Sequence, residues 1–94
     1  MSFGEIKHYS IRVAGRVQGV FFRASTVDKA KSLGLRGFVR NESDGSVYIE
    51  AEGRDIDVQQ MIEWAKSGPP RASVDSCEVA EGPVRHYSEF QIQR

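Results

Sequence analysis

The sequence has one cysteine and no excess charge of either sign, and each absence excludes a class of protein. Cys77 is the single cysteine and cannot form a disulfide within the chain, whereas small secreted domains usually depend on several. The 13 basic and 13 acidic residues give a formal net charge of zero. This balance counts against a nucleic-acid binder, because phosphate neutralisation supplies most of the affinity in that class.

The sequence also lacks long apolar segments. No run approaches the roughly 18 apolar residues that suggest a membrane span. The first ten residues, MSFGEIKHYS, contain no apolar stretch typical of a secretory leader. We therefore expect a cytoplasmic chain with no membrane partner. The 94 residues suit one domain covering 1–94, without linkers or repeats.

Hydrophobic periodicity predicts seven elements, in the order strand, helix, strand, strand, helix, strand and a short final strand. The strands are predicted at 6–14, 35–41, 46–53, 72–80 and 89–93, and the helices at 22–33 and 55–66. Two strand–helix–strand halves in series indicate an α+β fold, a ferredoxin-like βαββαβ sandwich. We expect an antiparallel sheet of four to five strands with both helices on one face.

Local signals support several of these elements. Asp44 and Gly45 form a strong tight-turn signal between the second and third strands. Gly34 is a suitable residue to end the first helix. For the second helix, Asp55 or Asp57 is the expected N-cap. Its core-facing positions follow helical spacing at Val58, Met61, Ile62 and Ala65. A change of parity between Val74 and Cys77 predicts a bulge near Ser76.

The segment GRVQGVFFR at 15–23 joins the first strand to the first helix. Amides at a helix N-terminus lack intrahelical partners, and glycines allow a loop to turn its amides around an anion. The segment matches neither nucleotide-binding glycine motif, so simple turn geometry is the alternative. Arg23 in the first helical turn is unfavourable alone and favourable beside a bound phosphate, although a solvated surface arginine is the alternative. We expect Phe21 and Phe22 to anchor the loop to the core.

Asn41 ends the second strand and is expected at the rim of the helix-covered face. Its amide could cap the following turn or hold a water molecule beside a bound phosphate. No nucleophile or metal-ligand pattern accompanies it. His8 and His86 have no carboxylate partner at a fixed spacing. Cys77 is expected to be a buried small residue. The acidic residues Asp44, Glu50 and Glu52 are expected in a turn or on exposed strand positions.

Taken together, these motifs resemble the acylphosphatase family. Its first signature, roughly G-x-V-Q-G-V-x-F-R, is similar to residues 15–23, and its second, G-x-V-x-N followed by an Asp-Gly turn, is similar to GFVRNESDGSVYIEAEG at 37–53. The segments SGPPRASVDSCEV at 67–79 and FQIQR at 90–94 also resemble the family. One departure is Phe38, where many relatives have tryptophan, and it is expected on the opposite face of the sheet from Asn41.

The resemblance implies an enzyme that hydrolyses the carboxyl–phosphate bond of acyl phosphates, on a ferredoxin-like fold. It implies that Arg23 binds the phosphoryl group and that Asn41 orients the attacking water. The expected phosphate-binding residues are Gly15, Arg16, Val17, Gln18, Gly19, Val20 and Arg23. No metal or cofactor is expected, and the partners would be a small-molecule acyl phosphate and phosphate or sulfate as product-like ligands, bound by a monomer.

Phosphoryl transfer needs mainly positioning and charge stabilisation, which explains how a site without a strong nucleophile could act. The alternative is a non-catalytic phosphate-binding or anion-binding module of the same fold, because a fold does not fix a function. Mixed charges on the second sheet face argue against RNA as its ligand.

Overall fold

The computed structural model of the protein describes residues 5–93. Residues 1–4, where the sequence predicts no leader, and Arg94, which ends the last segment of family resemblance, lie outside that part. The elements are β1 (Ile6–Arg16), α1 (Phe22–Ser32), β2 (Arg36–Asn41), β3 (Val47–Arg54), α2 (Asp55–Ala65), β4 (Ser73–Gly82) and β5 (Phe90–Ile92). Their order is the predicted one, and the bounds differ by no more than two residues at each end.

The sheet has five strands in the order β4-β1-β3-β2-β5. Neighbours among the first four strands are antiparallel, whereas β5 runs parallel to β2, with Gly37 opposite Phe90 and Val39 opposite Ile92. The prediction of an antiparallel sheet is therefore wrong for β5. The reason is the connection: residues 83–89 cross from one edge of the sheet to the other, so the chain enters β5 in the direction of β2.

The core lies between the sheet and the two helices. The predicted stripe of α2 is buried along its whole length, as are Phe22, Thr26 and Ala30 of α1. The sheet contributes fully buried residues from its central strands: Ile11, Val13, Val39, Val47, Ile49 and Ala51. These contacts hold the beginning of α1 against the end of β2, and that junction positions the candidate site.

The start of α2 differs from the prediction. Arg54 is the N-cap residue, and neither Asp55 nor Asp57 provides a side-chain cap. Both aspartates instead lie in the first turn, where a negative charge interacts favourably with the helix dipole. Asp57 also accepts a hydrogen bond from Nε of Arg54 at 2.9 Å.

The predicted bulge is present beside Ser76. The pairing of β1 with β4 shifts between Ala14, which is opposite Ser76, and Gly15, which is opposite Val74. Gly15 has φ 127° there, and a Cβ atom on it would lie 2.3 Å from the carbonyl oxygen of Ser73. Only glycine therefore fits at this point of the sheet.

The second face of the sheet is more covered than the sequence indicated. Residues 83–89 lie over it, and His8, Phe38 and Glu52 are buried. His8 contacts two carboxylates: Nδ1 lies 2.9 Å from Glu52 and Nε2 lies 3.1 Å from Glu50. The expectation that Glu50 and Glu52 are exposed-strand residues was wrong. The carboxylate partners of His8 had no signal in the sequence, because sequence spacing does not show which residues the register pairs across β1 and β3.

Within residues 5–93, neither helix combines the length and the apolar character needed to cross a bilayer.

Candidate active site

A pocket of about 260 Å³ lies where the loop after β1 meets the start of α1, the end of β2 and β5. One side of the pocket is formed by the loop and helix start of the first sequence motif, and the opposite side by the second motif and the last strand. The lining residues are Val17, Gly19, Phe21, Phe22, Arg23, Ala24, Asn41 and Ile92. Arg23 and Asn41, the two predicted catalytic residues, therefore line one pocket.

The sign of φ alternates along the loop backbone, as it does in anion-binding nests. Gly19 has φ 75° and Phe21 has φ 62°, while Val20 between them is not in the positive-φ region. Alternation of this kind turns successive N–H groups toward one side. The first intrahelical bond runs from the N–H of Ser25 to the carbonyl of Phe21, at 3.0 Å.

The N-terminus of α1 lies directly on the pocket and has no side-chain cap and no acidic residue in its first turn. The N–H groups of Phe22, Arg23 and Ala24 precede the first intrahelical bond, and all three residues line the pocket. These amides carry the positive end of the helix dipole. The arrangement is suited to a phosphate group.

Arg23 is partly buried at this N-terminus. Among residues 5–93, no carboxylate lies within ion-pair distance of its guanidinium. Arginine placed at the positive end of a helix dipole is unfavourable by a few tenths of a kcal/mol unless an anion accompanies it. A guanidinium also binds two phosphate oxygens at once.

Asn41 supplies the pocket with an acceptor. Its Oδ1 is buried and has no hydrogen-bond partner within the described residues. A buried acceptor without a partner is costly, and a ligand or water in the pocket would remove that cost. The turn-cap role considered for this side chain is not observed: Asp44 makes the turn contacts instead, accepting from the N–H and the hydroxyl of Ser46 at 2.9 and 2.6 Å.

The loop is held in place by residues that were not among its expected anchors, in addition to Phe22. Val17 and Val20 are buried in the core. The side-chain amide of Gln18 donates to the carbonyls of Glu42 and Ser46, at 2.9 Å each. These two hydrogen bonds join the loop to the turn that directly follows Asn41.

The two phenylalanines of the motif have different environments. Phe22 is buried and packs on Trp64, with ring centroids 5.5 Å apart. Phe21 is 73% exposed, so the expectation that both rings anchor the loop was wrong for Phe21. The left-handed backbone at Phe21 directs its side chain away from the core that Phe22 enters.

Only some of the predicted phosphate-binding residues line the pocket. Val17 and Gly19 line the pocket, as does Arg23. Gly15 and Arg16 belong to β1 and pair with β4, while Gln18 and Val20 are used to fix the loop. Four further pocket residues were not predicted from the sequence: Phe21, Phe22, Ala24 and Ile92. The position of Ile92 had no sequence signal, because it depends on the parallel pairing of β5.

The other candidate groups lie away from the pocket. Cys77 is half-buried, and burial raises the pKa of its thiol. Hydrogen bonds from Ser46 lower the pKa of Asp44. His86 is exposed in the segment that crosses the sheet. In the part of the chain that the structure describes, no three His, Cys, Asp or Glu side chains are grouped to hold a metal ion.

Comparison with known proteins identifies the family. The family model described as Acylphosphatase matches residues 9–92. An acylphosphatase of Marinobacter nauticus is 44% identical over 87 residues, which cover 92% of this chain and 95% of the relative. An acylphosphatase of Acaryochloris marina is 48% identical over 82 residues, covering 87% and 88% of the two chains.

A solved structure agrees with the sequence comparison. The structure of an acylphosphatase from Coxiella burnetii superposes with a TM-score of 0.91 at 39% identity, covering 94% of this chain and 93% of that one. The match extends over both halves of the fold and therefore includes the loop, the start of α1 and the end of β2. The chain belongs to the acylphosphatase family of enzymes.

Proposed function

We propose that this enzyme hydrolyses the carboxyl–phosphate bond of small-molecule acyl phosphates with the phosphoryl group held by Arg23 and by backbone amides of the 15–20 loop. Asn41 orients the attacking water. The reaction yields a carboxylate and inorganic phosphate. The observation that carries the proposal is that a cation without an ion-pair partner in residues 5–93 and a buried acceptor without a hydrogen-bond partner there line the same pocket.

The chemistry suits such a site. An acyl phosphate has a good leaving group, so the carboxylate can depart with the bonding electrons without a strong nucleophile behind it. The transition state is loose, and its charge is spread over the equatorial phosphoryl oxygens. Donors fixed around those oxygens, from Arg23 and from the loop and helix amides, stabilise that charge without rearranging.

The attacking water needs an acceptor to fix its position. Oδ1 of Asn41 would accept a hydrogen bond from this water, and this would direct a lone pair of the water oxygen at phosphorus. The water oxygen bonds to phosphorus as the bond between phosphorus and the bridging carboxylate oxygen breaks, and the protons of the water pass to oxygens of the phosphate that forms. No metal or cofactor enters the proposal. We also propose that the chain acts as a cytoplasmic monomer with a single domain.

The proposal is tested by phosphate release from benzoyl phosphate and acetyl phosphate, with EDTA present. We expect turnover of both substrates and competitive inhibition by inorganic phosphate or sulfate, because these anions resemble the product. Protein that binds phosphate and hydrolyses neither substrate would contradict the proposal and favour an anion-binding module.

A further inference from the structure

Phe21 has an unusual position for a phenylalanine. Of the large hydrophobic residues within 5–93, it is the most exposed, at 73%. Its backbone is left-handed, with φ 62° and ψ 24°, a conformation that costs a non-glycine residue free energy. Glycine at this position would remove both the strain and the exposed ring. Within the described residues the ring makes no aromatic pair, and it is not part of the buried core.

The ring lies at the pocket rather than elsewhere on the surface. Phe21 and Ile92, which is 41% exposed, line the same pocket as Arg23 and Asn41. They come from opposite ends of the sequence, one from the loop and the other from β5. The pocket therefore has a polar part suited to the phosphoryl group and two exposed apolar side chains that a phosphoryl group does not need.

The size of the pocket leaves space beside a phosphoryl group. Its volume is about 260 Å³, whereas four phosphoryl oxygens are similar in size to four waters, each about 30 Å³ in the liquid. In an acyl phosphate, the acyl carbon is joined to phosphorus through one oxygen. A phosphoryl group bound at Arg23 therefore keeps the acyl group within reach of the pocket wall.

We infer that Phe21 and Ile92 form an acyl subsite, which favours substrates with an aromatic or extended apolar acyl group over acetyl phosphate. The inference rests on the proposed function for the position of the phosphoryl group. An aromatic acyl group can stack on Phe21 in an offset or edge-to-face geometry. The methyl group of acetyl phosphate offers much less surface to the same residues.

The test compares kcat/KM for benzoyl phosphate and acetyl phosphate in the wild type and in Phe21→Gly, which permits the same backbone conformation. We expect the benzoyl-to-acetyl ratio to fall about fivefold or more, mainly through a higher KM for benzoyl phosphate. Ile92→Ser should lower the ratio in the same direction. The control is Ile56→Ala, since Ile56 is 65% exposed at the start of α2 and does not line the pocket. Its ratio should equal that of the wild type.

A ratio in Phe21→Gly within twofold of the wild type would overturn the inference. A binding experiment separates this outcome from failure of the proposed function. Benzoylphosphonate and acetylphosphonate, which cannot be hydrolysed in this way, are titrated into the wild type and Phe21→Gly. If the wild type hydrolyses no acyl phosphate, tighter binding of benzoylphosphonate that is lost in Phe21→Gly still supports the subsite. Equal affinities of the two phosphonates for the wild type contradict it.

Discussion

Arg23 and Asn41 come from separate motifs, and each has a polar group that the described protein leaves without a partner. Arg23 places a positive charge at the positive end of a helix, and Asn41 has a buried acceptor without a hydrogen bond. Both features cost stability in the empty protein. Both costs would be removed by a phosphoryl group and a water in the pocket, which is a physical reason to assign these residues to the site.

Asn41→Ala tests the role of the amide. We expect turnover of benzoyl phosphate to fall by about 10²–10³-fold, the usual effect of losing one preorganised polar group. The affinity for inorganic phosphate should change little, because Arg23 and the amides remain. Steady-state kinetics and phosphate inhibition measure the two effects.

Gln91→Ala is the matched control for Asn41→Ala, because Gln91 has an exposed amide side chain. Gln91 lies on β5 opposite Phe38, and its side chain faces away from the pocket. Its turnover should match the wild type. Equal losses of turnover and phosphate affinity in Asn41→Ala would indicate that Asn41 binds the phosphoryl group rather than the water.

At the residue scale, the sequence predicted some of the residues that line the pocket and missed others. Arg23 and Asn41 were identified from their motifs, and the structure places both on one pocket. Phe21 was not identified, because an aromatic residue next to the buried Phe22 is ordinarily part of the core. The structure shows that the ring is directed outward, since it is 73% exposed on a backbone with positive φ.

At the element scale, the loop and the start of α1 act as one unit. Val17 and Val20 fix the loop to the core, Gln18 joins it to the turn after β2, and Phe22 begins the helix by packing on Trp64. Core burial, side-chain hydrogen bonds and aromatic packing therefore all act on the same few residues. A stiff loop keeps its amides in place before the substrate arrives, which is the condition for electrostatic stabilisation of the transition state.

The two glycines of the first motif should respond differently to alanine. A Cβ at Gly15 would meet the backbone of β4, whereas a Cβ at Gly19 would meet nothing within 4 Å. We expect Gly19→Ala to cost about 1–2 kcal/mol of stability, from the left-handed backbone alone. Gly15→Ala should cost more than about 3 kcal/mol, since the strands must also separate. Urea denaturation measures both values, and equal losses would contradict this distinction.

Elements with strong local patterns could be predicted from the sequence, and those set by distant pairing could not. The Asp44–Gly45 hairpin and the buried stripe of α2 follow from turn chemistry and helical spacing. The direction of β5 depends on residues 83–89 crossing the sheet, for which no local signal exists. The N-cap of α2 was predicted at Asp55 or Asp57 rather than at Arg54, because aspartate is favoured both at the cap and in the first turn.

At the scale of the whole molecule, a buried polar cluster fastens the segment 83–89 to the sheet. Glu52 accepts hydrogen bonds from the N–H groups of Arg85 and Tyr87, at 2.8 Å each. The hydroxyl of Tyr87 donates to Glu50 at 2.9 Å. His8 can donate to both carboxylates at once only as the imidazolium. This segment leads directly into β5, so the cluster also helps to position Ile92 at the pocket.

The cluster predicts acid sensitivity. Burial alone would raise the pKa of Glu52, but hydrogen bonds from Arg85, His8 and Tyr87 outweigh it and hold the pKa below its usual value of 4.5. Glu50 behaves alike, through the hydroxyl groups of Tyr48 and Tyr87 and the charge of His8. Since both carboxylates bind protons less tightly in the folded state, their stabilisation is complete above about pH 4.5 and is lost as the pH falls through the folded-state pKa values.

Glu52→Gln checks this prediction. We expect it to lower the free energy of unfolding at pH 7 by about 1–3 kcal/mol, because its NH₂ group would face a buried donor. The loss of stability below pH 4.5 should also be shallower than in the wild type. Glu78→Gln, at an exposed position of β4, should leave the pH profile unchanged. Identical profiles for the wild type and Glu52→Gln would contradict the role of the cluster.

The most direct test of the central claim is the hydrolysis of benzoyl phosphate by Arg23→Ala. Arg36→Ala is the matched control, because Arg36 is an exposed arginine that begins β2, whereas Asn41 ends it. Circular dichroism and thermal melting establish that each variant is folded. We expect Arg23→Ala to retain almost no phosphate release and Arg36→Ala to remain close to the wild type. A folded Arg23→Ala variant with near-normal turnover would contradict the central claim.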